Sequence, residues 1–318
     1  MEQINEVVTL DIEDGIAVLT LDSPPVNALS AAVRAGLQQG FTAAIDDDAV
    51  QAIVLICAGR TFIAGADISE FGSDSGAQTG PDEREIMDNS PKPIVAAIHG
   101  TALGGGLETA LCAHYRVAAQ SAKVGLPEVH LGLLPGAGGT QRLPRLTGAE
   151  VALDWMITGR HVPVAEALEY GVVDEVVPDA SLREDAIAFA RRIVAEGGEL
   201  RRVRDRDDKV TSDRDKPELF ADFRKKHARK FRGFKAPEAI VQCVEAAVNL
   251  PYDEGREVEK RLFAELVSSP ESAAQRYYFF AERAAAKVPD VPRDTPRIPV
   301  ESVGIIGEGT MGGGIAMN

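Results

Sequence analysis

Cysteine is scarce in this chain. Only three of the 318 residues are cysteines, Cys57, Cys112 and Cys243, and they lie far apart. An odd number of widely spaced cysteines excludes a regular disulfide framework, and it offers none of the short spacings that hold zinc. The pattern is typical of a protein from a reducing compartment, and we expect no metal site.

Long apolar runs are also missing. No uninterrupted apolar stretch approaches the roughly 20 residues that a membrane helix needs. The N-terminal segment Met1-Glu-Gln-Ile-Asn-Glu6 is acidic and lacks the apolar region of a secretory signal. We therefore expect no membrane span and no secretion.

Positive charge is in deficit over most of the chain. The net charge is −15, which argues against nucleic-acid binding. Residues 201–235 are the exception, because they hold 14 Lys and Arg against 7 Asp and Glu. Two interpretations stay open for this segment: a solvated, salt-bridged helix face, or a landing site for a polyanionic ligand or an anionic partner surface.

The first 200 residues alternate between strand and helix patterns. Two apolar segments, Val7–Ile12 and Ile16–Leu21, flank Glu13-Asp-Gly15 and predict a β-hairpin. Ser30 is a suitable N-cap for a helix with apolar residues at every fourth position. Further strands are predicted over 52–58, 93–99, 115–119 and 172–177, and further helices over 141–146, 151–157, 165–170 and 182–195. This alternation indicates an α/β domain.

The remainder of the chain has a different character. Helices are predicted over 222–231, 238–249, 254–268 and 271–287, and four prolines within residues 288–299 predict a semi-rigid linker. Residues 303–306 then predict a strand that leads into Gly307-x-Gly309-x-x-Gly312, a dinucleotide-binding fingerprint. A complete NAD site also needs a helix, a second strand and a ribose-binding acid. We expect these to be missing here, so that the tail is the start of a further domain and binds no NAD by itself.

Two loops could supply backbone amides for catalysis. In Thr101-Ala-Leu-Gly-Gly-Gly-Leu-Glu-Thr-Ala110 a predicted strand becomes a helix at three glycines, which let the backbone approach a ligand closely. The first amides of a helix have no internal partner and lie at the positive end of its dipole. The amide of Gly105 could therefore bind a developing oxyanion, and that of Ala66, in Thr61-Phe-Ile-Ala-Gly-Ala-Asp-Ile68, could be the second donor.

Two glutamates accompany these glycine-rich turns. Glu108 falls in the first turn of the predicted helix, and Glu128 follows Pro127 in a mostly apolar segment. Two carboxylates at one small site can divide acid and base roles if their surroundings separate their pKa values. The plain alternatives are a glutamate favoured by the helix dipole and a structural or surface acid. Gly136 lies in a turn that could fix a water or a substrate atom.

These motifs together resemble the crotonase, or enoyl-CoA hydratase/isomerase, family over about residues 5–200. The matching segments are Ala64-Gly-Ala-Asp67, Ala102-Leu-Gly-Gly-Gly-Leu-Glu108 and Leu126-Pro-Glu128 with Leu134-Pro-Gly-Ala-Gly-Gly-Thr-Gln-Arg-Leu143. The resemblance implies the α/β crotonase (ClpP-like) fold, a spiral of repeated ββα units followed by C-terminal helices.

The later segments resemble the multifunctional β-oxidation enzymes, which fuse this unit to a 3-hydroxyacyl-CoA dehydrogenase. On that basis we expect a hydratase/isomerase domain over 1–200 and a helical extension with linker helices over 201–287. A Pro-rich linker over 288–300 and the truncated first strand of an NAD-binding domain over 301–318 would follow.

The resemblance also implies roles for residues. Glu108 and Glu128 match the family's catalytic acids, and Ala66 and Gly105 its oxyanion amides. Substrate-binding positions would be Ala64, Gly65, Asp67, Ile68, Gly104 and Gly136, whereas Gly307, Gly309 and Gly312 would serve NAD only in a full-length dehydrogenase domain.

The implied reaction is hydration of trans-2-enoyl-CoA to 3-hydroxyacyl-CoA in fatty-acid β-oxidation, with 3-enoyl to 2-enoyl isomerisation as a second activity. Hydration needs no cofactor, because the substrate carries the CoA, and the expected ligand is an acyl-CoA thioester. The location would be the cytoplasm, or the peroxisome of a eukaryote. The assembly would be a trimer or hexamer as in simple crotonases, or a monomer or thiolase partner as in the fused enzymes.

Two other classes of function remain. One is a different crotonase-fold enzyme, such as a hydrolase, a dehalogenase or a decarboxylase. The other is a non-catalytic module that binds acyl-CoA or a partner protein. Analysis of the products formed from crotonyl-CoA separates these classes.

Overall fold

The structure is a computed structural model that describes residues 2–67, 82–292, 294–296, 298–307 and 309–317. The chain divides into two units, Met1–Tyr277 and Tyr278–Asn318.

Ten strands form two sheets within the described residues of the first unit. Seven of them build a mixed sheet in the order β1-β2-β3-β4-β5-β7-β10, and the other three pair as β6-β8-β9. The strands are β1 Glu2–Gln3, β2 Val8–Glu13, β3 Ile16–Leu21, β4 Ala52–Cys57, β5 Ile94–Ile98, β6 Thr101–Leu103, β7 Tyr115–Ala119, β8 Lys123–Gly125, β9 Val162–Pro163 and β10 Glu175–Val177.

The predicted hairpin is confirmed. Strands β2 and β3 are antiparallel with Glu13 opposite Ile16, so the turn has two residues. Both of these, Asp14 at φ 51° and Gly15 at φ 82°, are left-handed. This is the backbone of a type I′ turn, whose twist matches that of the flanking strands.

The centre of the large sheet is parallel. Strands β3, β4, β5, β7 and β10 run side by side in one direction. The residues of β3, β4, β5 and β7 are almost all buried and apolar, as expected for strands that are covered on both faces. Parallel strands end at one common edge, so the chain segments that follow β4 and β5 are brought together there.

The helices predicted for the first unit are present in the predicted order, and the described residues also form helices that were not predicted over Glu83–Asn89 and Asp208–Arg214. Ser30 caps the first helix by accepting a hydrogen bond from the Val33 amide at 3.4 Å, as predicted. The helices are α1 Ala31–Asp46, α2 Glu83–Asn89, α3 Gly105–Ala110, α4 Gly139–Thr147, α5 Ala149–Thr158, α6 Val164–Glu169, α7 Leu182–Ala195, α8 Asp208–Arg214, α9 Leu219–Phe231, α10 Ala236–Asn249 and α11 Tyr252–Val267, and α12 Pro270–Ala285 runs on into the second unit.

Helix α10 is the centre of the helical extension. It packs against α4, α5, α8, α9 and α11, and it buries Ile240, Val241 and Val244 completely. Burying an aliphatic side chain of this size contributes about 1.5–3 kcal/mol. The extension is therefore packed onto α4 and α5 of the α/β part through one shared apolar core.

One predicted strand is shorter than expected. The apolar segment 172–177 forms strand only over Glu175–Val177. The amides of Val172 and Val173 instead donate to Ala167 O, which closes the end of α6. The helix end thus takes the hydrogen bonds that a longer strand would need.

The tail of the second unit differs from its prediction. Residues 301–307 form no strand, so the strand predicted over 303–306 is wrong for the described residues, and Val303 and Ile306 are exposed. A strand needs a hydrogen-bonding neighbour, and none is found in the described part of this unit. The helix that we expected to be missing does form, as α13 Thr310–Ala316 after Gly309.

Candidate active site

The turn from β6 into α3 shows why three glycines stand in a row. Gly104 adopts φ 53° and ψ −129°, and its amide donates to Gly125 O at 2.9 Å. A Cβ on Gly106 would lie 2.0 Å from Ile63 O, so only glycine fits there. The first turn of α3 is thereby pressed against the segment that follows β4.

Ala66 and Gly105 meet at this contact. A Cβ on Gly105 would lie 3.5 Å from the Ala66 amide nitrogen. Ala66 is held in place because the neighbouring Gly65, at φ 115°, accepts a hydrogen bond from the Leu29 amide at 2.9 Å. Within the described residues neither the Ala66 nor the Gly105 amide donates a hydrogen bond. Two adjacent amides without protein acceptors can both bind one oxygen atom.

Glu108 lies one turn into α3 and is buried. Its Oε1 accepts hydrogen bonds from the Ala137 and Gly139 amides, at 2.7 and 2.8 Å. Gly139 is the first residue of α4, so the carboxylate lies at the positive end of that helix. No hydrogen bond to Oε2 is found in the described residues, which leaves one oxygen for a water or a substrate.

Glu128 approaches the same turn from another side. It opens a 3₁₀ turn, Glu128–Leu131, after Pro127. Its Oε1 lies where a Cβ on Gly104 would be only 2.9 Å away. The residue as a whole is half-buried, but its Oε2 is buried and has no hydrogen-bond partner. Glu128 thus faces the glycine turn that precedes Glu108.

The two carboxylates have different surroundings. Burial without a partner raises the pKa of Glu128 well above its ordinary value, and the negative charge of Glu108 raises it further. A carboxyl group with a raised pKa keeps its proton to higher pH than an ordinary glutamate and can act as a proton donor. Glu108, by contrast, accepts two amide hydrogen bonds that suit a carboxylate.

The remaining predicted substrate positions surround this centre. The Ala64 amide donates to Val26 O at 3.2 Å, and Asp67 follows Ala66 as a half-buried residue. Ile68 lies outside the described residues. Gly136 lies under the ring of Phe263, since a Cβ there would be 2.5 Å from the ring atom Cδ2. The roles of these residues stay predictions.

Helix α11 contributes three residues that the motifs did not indicate. Glu259 is completely buried and accepts a hydrogen bond from the Gly138 amide at 2.8 Å. Arg256 pairs with Glu259, and Phe263 covers Gly136. The sequence did hold a signal for Glu259, because it stands in the buried stripe Gly255, Glu259, Leu262, Leu266. A glutamate in an apolar stripe needs an internal partner.

Comparison with known proteins places the chain in a family. The model of the Enoyl-CoA hydratase/isomerase family matches residues 11–236. The peroxisomal bifunctional enzyme of Cavia porcellus is 43% identical over 316 residues, and that of Homo sapiens is 42% identical over 313 residues. These matches cover 97% and 96% of this chain, but only 43% of each relative. The chain belongs to the enoyl-CoA hydratase/isomerase family, and it spans less than half the length of these curated relatives.

Solved structures agree with this placement. A carnitinyl-CoA hydratase from Mycobacterium avium has a TM-score of 0.65 and 26% identity, covering 87% of this chain and 97% of that one. An enoyl-CoA hydratase from Bacillus anthracis has a TM-score of 0.55 and 29% identity, with coverage of 87% and 97%. The predicted crotonase fold is therefore confirmed. No helix in the described part of the chain is long and apolar enough to cross a membrane.

Proposed function

We propose that this chain adds water to trans-2-enoyl-CoA to give 3-hydroxyacyl-CoA. The observation that carries the proposal is the placement of Glu108 and Glu128 around the Gly104–Gly105 turn, beside the Ala66 amide. Hydration of an α,β-unsaturated thioester requires an oxyanion site flanked by two carboxyl groups, one that takes a proton from water and one that gives a proton to carbon.

Each group has a defined task in this reaction. The amides of Ala66 and Gly105 hold the thioester oxygen while it carries negative charge. Glu108, fixed through Oε1, uses Oε2 to take a proton from the water whose oxygen bonds to C3. Glu128 delivers its proton to C2, so both atoms of the double bond are saturated on one face. One water is consumed, and a proton passes from Glu108 back to Glu128 before the next turnover.

Isomerisation of 3-enoyl-CoA to 2-enoyl-CoA is the second activity that we propose. It needs a proton removed from C2 and one returned to C4, with charge held at the thioester oxygen between the steps. Glu128 and the two amides are sufficient for this, and Glu108 is not required. The family model that matches residues 11–236 is that of enoyl-CoA hydratases and isomerases, which supports both reactions as candidates for this chain.

We propose a peroxisomal location on the same ground, since those relatives are named as peroxisomal. A dehydrogenase activity with NAD would belong to a longer protein. The described residues of the second unit do not fit NAD by themselves, because they provide the glycines and α13 but no strand. No step of the proposed reactions involves NAD.

Substitution of each acid tests the proposed hydration. Glu108→Gln and Glu128→Gln should each slow hydration of crotonyl-CoA by at least about 10²-fold, the scale of lost acid–base catalysis. KM should change much less, since neither carboxyl group anchors the nucleotide. Glu169→Gln, at an exposed glutamate of α6, is the control.

Steady-state hydration kinetics and analysis of the products measure the outcome. Near-wild-type turnover by either variant would show that the role given to that glutamate is wrong. Free CoA in place of 3-hydroxybutyryl-CoA would favour thioester hydrolysis, another reaction of the crotonase fold. Binding of crotonyl-CoA without any product would favour a non-catalytic module.

A further inference from the structure

Helix α11 places a third glutamate beside the catalytic pair. Glu259 has no exposed surface, and both of its oxygens are bonded. Oε1 accepts from the Gly138 amide at 2.8 Å and pairs with Arg256, while Oε2 accepts from the Thr140 hydroxyl. A buried carboxylate is costly unless it is paired and hydrogen-bonded in this way. The set of partners therefore fixes the side chain and the backbone that it binds.

The loop that precedes α4, residues 136–138, is held by two carboxylates. The Ala137 and Gly139 amides donate to Glu108, whereas the Gly138 amide between them donates to Glu259. Gly138 adopts φ 101°, a left-handed conformation that L side chains rarely adopt. Successive amides of one short segment thus bind two different carboxylates. If the loop shifts relative to α11, the two donors that fix Glu108 shift with it.

Further contacts join α11 to the same loop. Arg256 Nη1 donates to Gly136 O at 3.4 Å, and the Phe263 ring covers the Cα of Gly136. Gln141 extends the network, because its Nε2 donates to the Thr140 hydroxyl at 3.0 Å and to Cys243 O at 2.9 Å. The loop therefore rests on α11 through Gly136 and Gly138, and the first turn of α4 is tied to α10 through Gln141.

The charges of Arg256 and Glu108 both act on Glu259. Burial raises the pKa of Glu259 to about 7, against the opposing effect of Arg256, and the negative charge of Glu108 adds to the rise. Glu108 and Glu259 are thus close enough to affect each other, and the glycine loop lies between them.

We propose that Glu259 is a positioning residue for hydration. From α11 it fixes the loop whose amides hold Glu108 Oε1, so that Oε2 of Glu108 is aimed at the attacking water. The inference rests on the hydratase function proposed above. A misplacement of about 1 Å at a catalytic group can cost about 10²-fold in rate. Isomerisation uses Glu128 and the oxyanion amides, so it should not depend on Glu259.

The test compares two reactions of Glu259→Gln in the 318-residue chain. Glutamine keeps the size of the side chain and an acceptor for Gly138, but it removes the carboxylate that binds Arg256 and Thr140. We expect kcat for crotonyl-CoA hydration to fall at least about tenfold, KM to stay within about threefold and isomerisation to stay within about twofold. Glu265→Gln, exposed on the same helix and paired with Arg261, should leave all three unchanged.

A double variant separates positioning from a general loss of structure. If Glu259 acts through Glu108, adding Glu259→Gln to Glu108→Gln should lower the residual hydration by less than about twofold. Independent multiplication of the two effects would overturn the inference. A folded Glu259→Gln with wild-type hydration, or with an equal loss of both reactions, would overturn it too.

A milder variant keeps the inference testable if Glu259→Gln does not fold. Thr140→Val removes only the hydroxyl that Glu259 binds, and it should slow hydration several-fold while sparing isomerisation. Wild-type hydration by that variant would contradict the positioning role. A wild-type chain that does not hydrate crotonyl-CoA would instead refute the proposed function, so the two failures are distinguishable.

Discussion

Gly105 acts in this site through its backbone alone. It is the first residue of α3, where an amide has no acceptor within the helix. That position also tolerates proline, which lacks the N–H and has a backbone angle suited to a helix start. The amide can therefore be removed with a residue that still suits the helix.

Gly105→Pro compared with Gly105→Ala tests the oxyanion amide. Both variants place a Cβ about 3.0 Å from Leu29 Cδ1, and proline adds the ring atoms Cγ and Cδ. Only proline removes the N–H, and loss of one oxyanion donor costs on the order of 10²–10³ in rate. We expect Gly105→Pro to be slower than Gly105→Ala by that factor in hydration assays. Equal rates for the two folded variants would rule out the Gly105 amide.

Glu128 should make the free energy of unfolding depend on pH. An unfolded glutamate has a pKa of about 4.3, whereas burial raises the pKa of folded Glu128 well above that. Between the two values the folded protein holds a proton that the unfolded chain has lost. The free energy of unfolding therefore falls as pH rises through this window, by up to about 1.4 kcal/mol per pH unit.

Glu128→Gln should remove this loss of stability at higher pH, because glutamine resembles the protonated acid at every pH. Urea unfolding from about pH 5 to about pH 8 should show the variant losing less stability than the wild type as pH rises. Glu169→Gln, at an exposed site, should follow the wild-type curve. Parallel curves for Glu128→Gln and the wild type would show that Glu128 is not protonated in the folded state.

At the residue scale, the sequence could predict what short motifs encode. Glu108 and Glu128 each stand beside glycines, and the structure brings both to the Gly104–Gly105 turn. Glu259 could not be found in this way, since its partners Gly138 and Thr140 lie more than a hundred positions away in the chain. Only tertiary packing places it at the site.

Helix α9 carries the cations on which the two interpretations of the basic segment depend. Arg224 pairs with Glu238 and Glu245 at 3.0 Å each, which ties α9 to α10. Four other cations of α9 are exposed, and no ion pair of theirs is found in the described residues: Lys225, Lys226, Arg229 and Lys230. Their exposure agrees with a solvated face, and nothing else in the structure favours a ligand there.

Replacing these four cations of α9 with glutamine should leave KM for crotonyl-CoA within about twofold across salt concentrations. The reason is that, on the solvated-face interpretation, these charges meet only water and salt ions and bind no part of the substrate. Assays at low and high salt measure this. A raised KM with a flatter salt dependence and an unchanged kcat would show instead that these side chains bind the CoA phosphates.

At the element scale, local signals were sufficient where an element is stabilised by its own residues. The type I′ turn needs only Asp14 and Gly15, and the start of α1 needs only Ser30. The strand over 303–306 depends on a partner strand, and the short β10 depends on competition with the end of α6. Such outcomes are set by neighbours in space, which periodicity does not report.

At the scale of the whole molecule, the second unit should not bind NAD. Its described residues offer Gly307, Gly309 and the seven-residue helix α13, but no strand beside them. The fingerprint holds a pyrophosphate only within a complete βαβ unit. Calorimetric titration of this chain with NADH should show no saturable binding. Saturable binding would show that a nucleotide site lies elsewhere in the chain.

The long separation between Glu259 and its loop also sets an order of assembly. Gly138 and Glu259 are 121 residues apart, and α11 follows nearly all of the α/β part. During synthesis the sheet and the glycine turn can form before the residues of α11 have been synthesised. The loop that carries the donors for Glu108 acquires its second anchor only when α11 docks. A nascent chain should therefore gain its fold before its full rate of hydration, which enoyl thioesters would meet only after that late helix is in place.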